Sequence, residues 1–482
     1  MGLATRLARL ERENRELRAR VTALLAENAR LRGEASATAA LEAENARLRG
    51  ETGKNSSNSS KPPSSDSPEQ KAARGNRHPP SGRKPGGQPG HEGHQRSLFP
   101  ADRVTSSEEV FPKRCRACRQ HLPKVAHGTP LCHQTVDVPP IVPTVLQYLL
   151  HAVRCPCGVV TRAPLPAGVP RGMCGPNLVA LLTLLVGVYQ MSRRDAVSFA
   201  SDVFGFRISL GALSNVEGRV AKMLEPAHTQ ASTLVKRARA KYVDATSWLR
   251  KAANRTLWVI GSRLATVFHI VSDGTRAEIE GLVGTLGVMI TDRGSQFGFW
   301  AMSKRQVCWA HLIRKYVSFS EHTDPRAAQL GDNLLLLAQA LLHAWHNVRD
   351  GTMSRAEFQD FVARLRPVFE GHLARGAELG LKGISGSCVN QLKHAPALWT
   401  FALVAGIEPT NNHAERELRR FVLWRKTSYG SQSARGEDFA ARVMTVVHTL
   451  RKQDRHVLSF LRDTITASLH GTPAPSLIPA AP

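Results

Sequence analysis

Between residues 51 and 100 the chain gives up the means to build a core. Glycine, proline, serine and asparagine occupy 27 of the 50 positions, and only Ala72, Ala73, Leu98 and Phe99 are apolar. A segment of that kind buries too little surface to offset its ordering entropy. Whatever folds must lie on either side of it. Residues 51–110 are therefore expected to act as a flexible basic linker. Lys54, Lys61, Lys71, Arg74, Arg77, Arg83 and Lys84 are available there to phosphates, or are simply solvated.

On the N-terminal side, residues 1–50 read as a helix with a heptad seam. Leu3, Leu10, Leu17, Leu24 and Leu31 recur every seven residues, and Leu7, Asn14, Val21 and Asn28 fill the alternate position. Asparagine there favours a parallel two-stranded register. The segment 26–34 (AENARLRGE) returns at 43–51, so Leu41, Asn45 and Leu48 restart the seam out of phase. Such a stammer overwinds a coiled coil locally. The reading is a coiled-coil zipper that forms a homodimer; the alternative is one amphipathic helix packed on its own chain.

Beyond the linker, residues 111–170 hold Cys115 and Cys118 at ordinary knuckle spacing, then Cys155 and Cys157 one residue tighter. Two cysteine pairs around a sheet-like stretch at 144–153 suit one tetrahedral structural zinc. Cys132 and His133 are substitute ligands, and buried free thiols are the alternative. Eight cysteines in 482 residues are too few for a disulfide-rich secreted chain. The N-terminus is charged and lacks an apolar signal core. The longest apolar run, residues 178–189, falls short of the roughly 20 residues that span a bilayer. A cytoplasmic protein without membrane attachment is expected.

Residues 171–238 read as a helical module, with helices at 177–189, at 192–203 and from Leu210 towards Leu224. Gly205 and Phe206 make a turn, and Ser209 caps the third helix. Two short helices about a glycine turn are what a helix-turn-helix needs, although many such pairs bind nothing. From residue 239 the pattern changes. Strands are expected at 241–250, 256–262 and 265–272, then a helix at 275–286, a buried strand at 287–291 and a short strand at 306–309. That order makes a mixed α/β sheet. Helices follow at 330–345, 355–369, 411–422 and 439–461, and the tail after Leu469 is expected to fray.

The net charge of +26 points to a polyanionic partner, nucleic acid first, and to strongly salt-dependent binding. In so basic a chain the acids at strand ends and helix starts stand out. Asp244 lies in the first strand of the sheet, Asp292 follows the buried strand, and Glu415 opens a helix after Asn411 and Asn412. Three carboxylates brought together hold two divalent ions in phosphoryl transfer. Each also has a plain structural use. Asp244 caps a turn, Asp292 shapes an Asp-Arg-Gly turn, and Glu415 joins Asn412 in a capping box or pairs with Arg419. Cations surround them. His311, Arg314 and Lys315 share one side of a helix, and Arg416, Arg419, Arg420, Arg425 and Lys426 follow Glu415. A metal site facing a phosphodiester needs such neighbours; a solvated helix face is the alternative.

Taken together, several segments resemble the large transposase subunit of the insertion sequence 66 family, DDE-type transposases of bacterial mobile elements. They are residues 53–66 (GKNSSNSSKPPSSD), 82–91 (GRKPGGQPGH), 155–166 (CPCGVVTRAPLP), 308–314 (CWAHLIR), 408–419 (EPTNNHAERELR) and 424–430 (WRKTSYG). The match runs in order through nearly the whole chain. It implies an α/β, ribonuclease-H-like mixed-sheet catalytic core at 239–437, with a helical insertion at about 324–405, and a C-terminal helical segment and tail at 438–482. Asp244, Asp292 and Glu415 match the family's three acids and imply two magnesium ions, with manganese as a substitute. Cys115, Cys118, Cys155 and Cys157 match its cysteine-rich, zinc-binding module. The implied partners are DNA, at the element ends and the target, and small accessory transposition proteins. The implied location is the bacterial cytoplasm, at the nucleoid when DNA is bound.

Two departures stand out. Ala245 replaces a glutamate usual in the family, and Arg293, Gly294 and Ser295 replace a tyrosine-containing turn. The expected activity is end cleavage by water, then attack of the freed 3′-hydroxyl on target DNA. His311, Arg314, Lys315, Arg416, Arg419, Arg420, Arg425 and Lys426 are expected on phosphates. The rival, favoured by Ala245, is a catalytically inactive DNA-binding protein derived from a transposase.

Overall fold

The structure, a computed structural model, describes residues 20, 23, 27, 30, 55–59, 66–75 and 97–479. Most of the expected zipper, its dimer seam and much of the linker lie outside the described residues. Arg20, Ala23, Glu27 and Arg30 are helical, and Arg30 pairs with Glu27 at 2.6 Å.

In chain order the first elements are α1 (Pro68–Gly75), β1 (Ala152–Arg154), β2 (Val160–Arg162), α2 (Pro176–Gly187), α3 (Arg193–Phe204), α4 (Leu210–Met223) and α5 (Glu225–Lys236). The sheet region follows with β3 (Ala240–Arg250), β4 (Ala253–Gly261), β5 (Thr266–Val271), α6 (Arg276–Val283), β6 (Val288–Thr291) and β7 (Arg305–Val307). Helices complete the chain: α7 (Trp309–Ser320), α8 (Pro325–Arg349), α9 (Arg355–Glu378), α10 (Ser385–Lys393), α11 (Asn412–Ser428), α12 (Ala434–Lys452) and α13 (Val457–His470). The chain divides into two compact units, one made of residues 1–75, 239–244 and 286–416, the other of residues 76–238, 245–285 and 417–482. The strand β3 and the helix α11 each run through both.

In the first unit the opening residues of β3 pair in parallel with β6, Ala240 against Val288 and Tyr242 against Ile290. The strand β6 pairs in parallel with β7, Met289 against Arg305 and Thr291 against Val307. Every residue of β6 and β7 is buried, as expected of parallel strands covered on both faces. The stretch read as an insertion supplies much of this core. Trp309 lies 5.3 Å from Trp399 and 5.2 Å from Phe369, ring centre to ring centre. Its indole N–H donates to the Leu398 carbonyl at 2.8 Å, and the Gln306 side chain meets that carbonyl and the Phe401 N–H. The helices α7 and α8 touch at Gly331, where a Cβ would stand 2.2 Å from the Ser320 nitrogen.

Part of the expected linker is ordered against this unit. Ser56 and Asp66 are buried, the Ser56 N–H and hydroxyl both donate to the Asp66 carboxylate, and the Asn58 amide donates to Glu321 at 2.7 Å. Polar side chains that satisfy one another order this turn, a mechanism that counting apolar residues does not register.

In the second unit β4 lies between β3 and β5, and β4 pairs antiparallel with β5 from Thr256 opposite Val271 to Gly261 opposite Thr266. The helix α12 closes the outer edge of β5. Thr449 and Thr445 accept the N–H groups of Thr266 and Phe268 at 3.1 and 3.0 Å. An unpaired strand edge is thus met by hydroxyls. The helix-turn-helix candidate folds as two capped helices. Ser192 accepts from the Asp195 N–H, Gly205 takes the left-handed conformation, and Ser209 accepts from the Ala212 N–H. The helical stretch expected over 439–461 is two helices, broken where Asp454 adopts φ +53°. The described part of the tail, through residue 479, does not fray. Leu477 is fully buried, its N–H donates to Gln230 at 2.8 Å, and Arg455 holds the carbonyls of Ser476 and Leu477. One leucine that finds a core site outweighs the proline-rich composition around it.

Glu417, His448 and Lys452 form a largely but not fully buried charged cluster in this unit. Burial raises the Glu417 pKa, but the hydrogen bond from His448 and the Lys452 ammonium at 3.1 Å outweigh it and bring it down to about 2. A carboxyl depressed on folding stabilises the protein above its unfolded pKa and loses that contribution as pH falls through the folded one. Acid titration followed by circular dichroism is therefore expected to show stability draining between roughly pH 4.5 and 2. Glu417→Gln should flatten that slope and cost on the order of 2–3 kcal/mol at neutral pH.

Candidate functional site

The three acids sit in the first unit, each beside one hydrogen-bonded chain. Asp244 follows Val243 on β3, Asp292 follows Thr291 at the end of β6, and Glu415 lies in the first turn of α11. The chain passes through Asn411 and Cys308. The Asn411 side-chain amide donates to the Val243 carbonyl at 2.9 Å. Its backbone N–H donates to Cys308 Sγ at 3.1 Å, and its carbonyl accepts the Glu415 N–H at 3.2 Å. The Cys308 N–H donates in turn to the Thr291 carbonyl at 2.8 Å. One buried asparagine and one buried cysteine so join the three segments that carry the acids. The pleat of β3 adds a second tie: Asp244 shares a face with Tyr242, whose ring stacks on His413 at 4.7 Å.

The surroundings of each acid differ. One oxygen of Asp292 accepts the Gly294 N–H at 2.8 Å, so the Asp-Arg-Gly turn read from the sequence is present. Arg305, fully buried over the Phe297 ring, donates to Thr291 Oγ1 at 3.1 Å and to the Asp292 carbonyl at 2.7 Å. Burial pushes the Arg305 pKa down to about 10, against the pull of Asp292. Glu415 turns to α7 rather than to Asn412. Its Oε2 meets Arg314 at 3.3 Å, and its Oε1 lies 3.7 Å from His311 Nδ1. Both Glu415 Oε1 and His311 Nδ1 are buried atoms without a hydrogen-bond partner. Burial lowers the His311 pKa, Glu415 pulls it up, and Arg314 pushes it down. Burial also pushes the Cys308 thiol up to about 11, while the N–H groups of Asn411, His311 and Ala310 pull the other way.

The remaining site residues are distributed along the chain. Arg416, Arg419 and Lys426 are exposed on α11, and Lys315 stands over the Phe319 ring at 5.3 Å. Arg420 donates to the Val188 carbonyl at 3.2 Å, and Arg425 to the Thr246 hydroxyl at 3.0 Å, so both are engaged within the protein. The zinc-ligand candidates meet pair by pair. The Cys118 N–H chiefly lowers the Cys115 thiol pKa, and the Val159 N–H that of Cys157. Hydrogen-bonded turns flank each pair, Cys115 with Gln120 and Cys155 with Val159. The sheet expected over 144–153 is confined to β1, because the stretch before it is exposed and has no face to pack on. Among the described residues, the group of three or more metal-ligand atoms within 4.8 Å of one another is Cys308, His311 and Glu415, so the four cysteines do not form such a group. Neither Cys308 nor Asn411 stood out from spacing. The signals were the pair of asparagines ahead of Glu415 and the segment 308–314 that opens with Cys308.

A buried strand that runs into Asp292, a strand that carries Asp244 and a helix that carries Glu415, joined by hydrogen bonds, define a mixed α/β protein with three linked acid-bearing segments. The chain belongs to the IS66 transposase family, whose model matches residues 171–438, more than half of its length. Residues 7–97 match a family of unknown function, DUF6444. An uncharacterized protein, y4hP, from Sinorhizobium fredii is 22% identical over 347 residues, covering 64% of this chain and 62% of that protein. The chain thus spans less than two thirds of that relative's length. Among the described residues no helix is long and apolar enough to cross a membrane.

Proposed function

We propose that this chain is a DNA transposase that cuts and rejoins phosphodiesters with Asp244, Asp292 and Glu415 around two magnesium ions. Family membership supports a role in transposition. The observation that carries the chemistry is the hydrogen-bonded chain through Asn411 and Cys308, which gathers the three acid-bearing segments. The donors fit the ions. They are oxygens only, as magnesium prefers, and Glu415 Oε1 is buried without a hydrogen-bond partner. Two ions about 3.5–4 Å apart spread their outer ligands, so three acids serving both need not crowd within the 4.8 Å of a single-ion group.

When bound, magnesium supplies Lewis acidity and activates the attacking oxygen. The protein's part is positioning. Arg314 holds one Glu415 oxygen and leaves the other to the site. The Gly294 N–H orients Asp292, and Arg305 fixes the carbonyl behind it. Arg416, exposed next to Glu415, meets phosphate oxygens. Water cuts the element end, and the freed 3′-hydroxyl attacks the target. The zipper pairs the two protomers that hold two ends.

The test is an element-end duplex incubated with the full chain and magnesium or manganese. Nicking with a 3′-hydroxyl product is expected. Salt-sensitive binding without nicking under either ion would sink the catalytic reading and leave the DNA-binding one that Ala245 favours. Asn411→Ala is expected to lower the nicking rate by about 10–100-fold, the usual cost of an outer-shell partner. Its affinity for the duplex should not change, which separates positioning from binding.

A further inference from the structure

We propose that Cys308, His311 and Glu415 form a second, single-ion site that takes a thiolate-preferring divalent cation, zinc first. Their ligand atoms all lie within 4.8 Å of one another. His311 Nδ1 and Glu415 Oε1 are 3.7 Å apart, too far for a hydrogen bond, and each is buried without one. Two such groups adjacent in a buried site, both unsatisfied, cost free energy unless something bridges them. A tetrahedral ion with bonds of about 2.0–2.2 Å to nitrogen and oxygen holds those two atoms about 3.4 Å apart. A shift of a few tenths of an ångström brings the nitrogen and the oxygen to that spacing.

Cys308 supplies the third ligand, in surroundings suited to an anion. Its Sγ accepts the Asn411 N–H at 3.1 Å, and the N–H groups of Ala310 and His311 face it at the start of α7. Amide donors around a thiolate are the usual outer shell of a zinc site. A sulfur, an imidazole and a carboxylate select zinc over magnesium, which takes oxygen ligands. Three protein ligands leave a fourth position open.

The ion site stands on these distances alone. Its consequence rests on the proposed chemistry: an ion bound through Glu415 Oε1 withdraws that oxygen from phosphoryl transfer. Zinc is then an inhibitor that magnesium does not readily displace.

The experiment titrates the full chain with cobalt(II) alone and follows the d–d bands and the thiolate charge-transfer band. Because Cys115, Cys118, Cys155 and Cys157 can also bind cobalt, the readout is the difference between wild type and His311→Gln. His311 is half-buried on a helix, so this variant is expected to fold; Cys308→Ser is the second variant. Wild type should take one more equivalent than either, with a stronger charge-transfer band. Equal stoichiometry and equal bands in all three overturn the site. Zinc added to the nicking reaction should inhibit wild type and spare residual nicking in Cys308→Ser. An extra equivalent in wild type with nicking indifferent to zinc leaves the ion site standing and overturns its competition with catalysis.

Discussion

Single replacement of Asp244, Asp292 or Glu415 by alanine is expected to abolish nicking of an element-end duplex, with losses on the order of 10³-fold or more. Duplex binding should survive in all three. The argument is electrostatic. In a chain of net charge +26, an acid beside cations has to neutralise or coordinate something. At Glu415 one oxygen already meets Arg314 at 3.3 Å, and the other has no hydrogen-bond partner. Removing that carboxylate would tighten non-specific DNA binding by deleting a negative charge while ending catalysis, a split that misfolding does not produce. Glu415→Gln sharpens the test, since it keeps the shape and the Arg314 contact but loses the ionic ligand. Retained nicking in any of the three alanine variants would refute the assignment. The three losses should also be non-additive, because ligands of a shared ion pair act as a unit.

The candidate acids were legible in advance because acids announce themselves against a basic, periodic background. The short apolar run of β6 ends at Asp292, and a helix begins just before Glu415. What joins the acids was not legible. Asn411 looks like any polar residue ahead of a helix, and only its burial, with one bond to Val243 and one to Cys308, shows its use. His311 looked like a phosphate contact from its i, i+3, i+4 companions. In the fold its Nδ1 also lies 3.7 Å from Glu415 Oε1, a proximity that spacing does not reveal, because α7 and the first turn of α11 face one another within the first unit. The same limit applies to the fold. Apolar spacing located β3 through β7 to within a few residues, and Ser192, Gly205 and Ser209 marked helix ends through local chemistry. Tertiary rewards were invisible: Leu477 in a proline-rich tail, the Ser56 and Asp66 pair in a polar tract, and Gly430. That glycine, at φ +96°, lets the chain pass so close to β3 that a Cβ would stand 2.2 Å from the Leu249 oxygen.

Trp309→Ala is expected to be the most damaging single change to stability, costing about 3–5 kcal/mol. Urea unfolding of the full chain, followed by intrinsic fluorescence and circular dichroism, measures it. Trp309 is fully buried among Trp399, Phe369 and the Leu398 carbonyl, and its backbone N–H donates to the Pro409 carbonyl at 3.0 Å. The backbone bond survives the substitution, and the Gln306 amide still reaches the Leu398 carbonyl at 3.1 Å. The cost should therefore come from the cavity and lost ring contacts rather than from an orphaned acceptor. Trp309→Phe, which fills most of that space without the N–H, should recover more than half of the loss. Because Trp309 lies between Cys308 and His311 in the chain, its loss loosens the start of α7 that carries both. Trp309→Ala should then lower nicking beyond what its folded fraction explains, whereas Phe358→Ala, equally buried in the same core but on α9, should lower it only in proportion to the folded fraction.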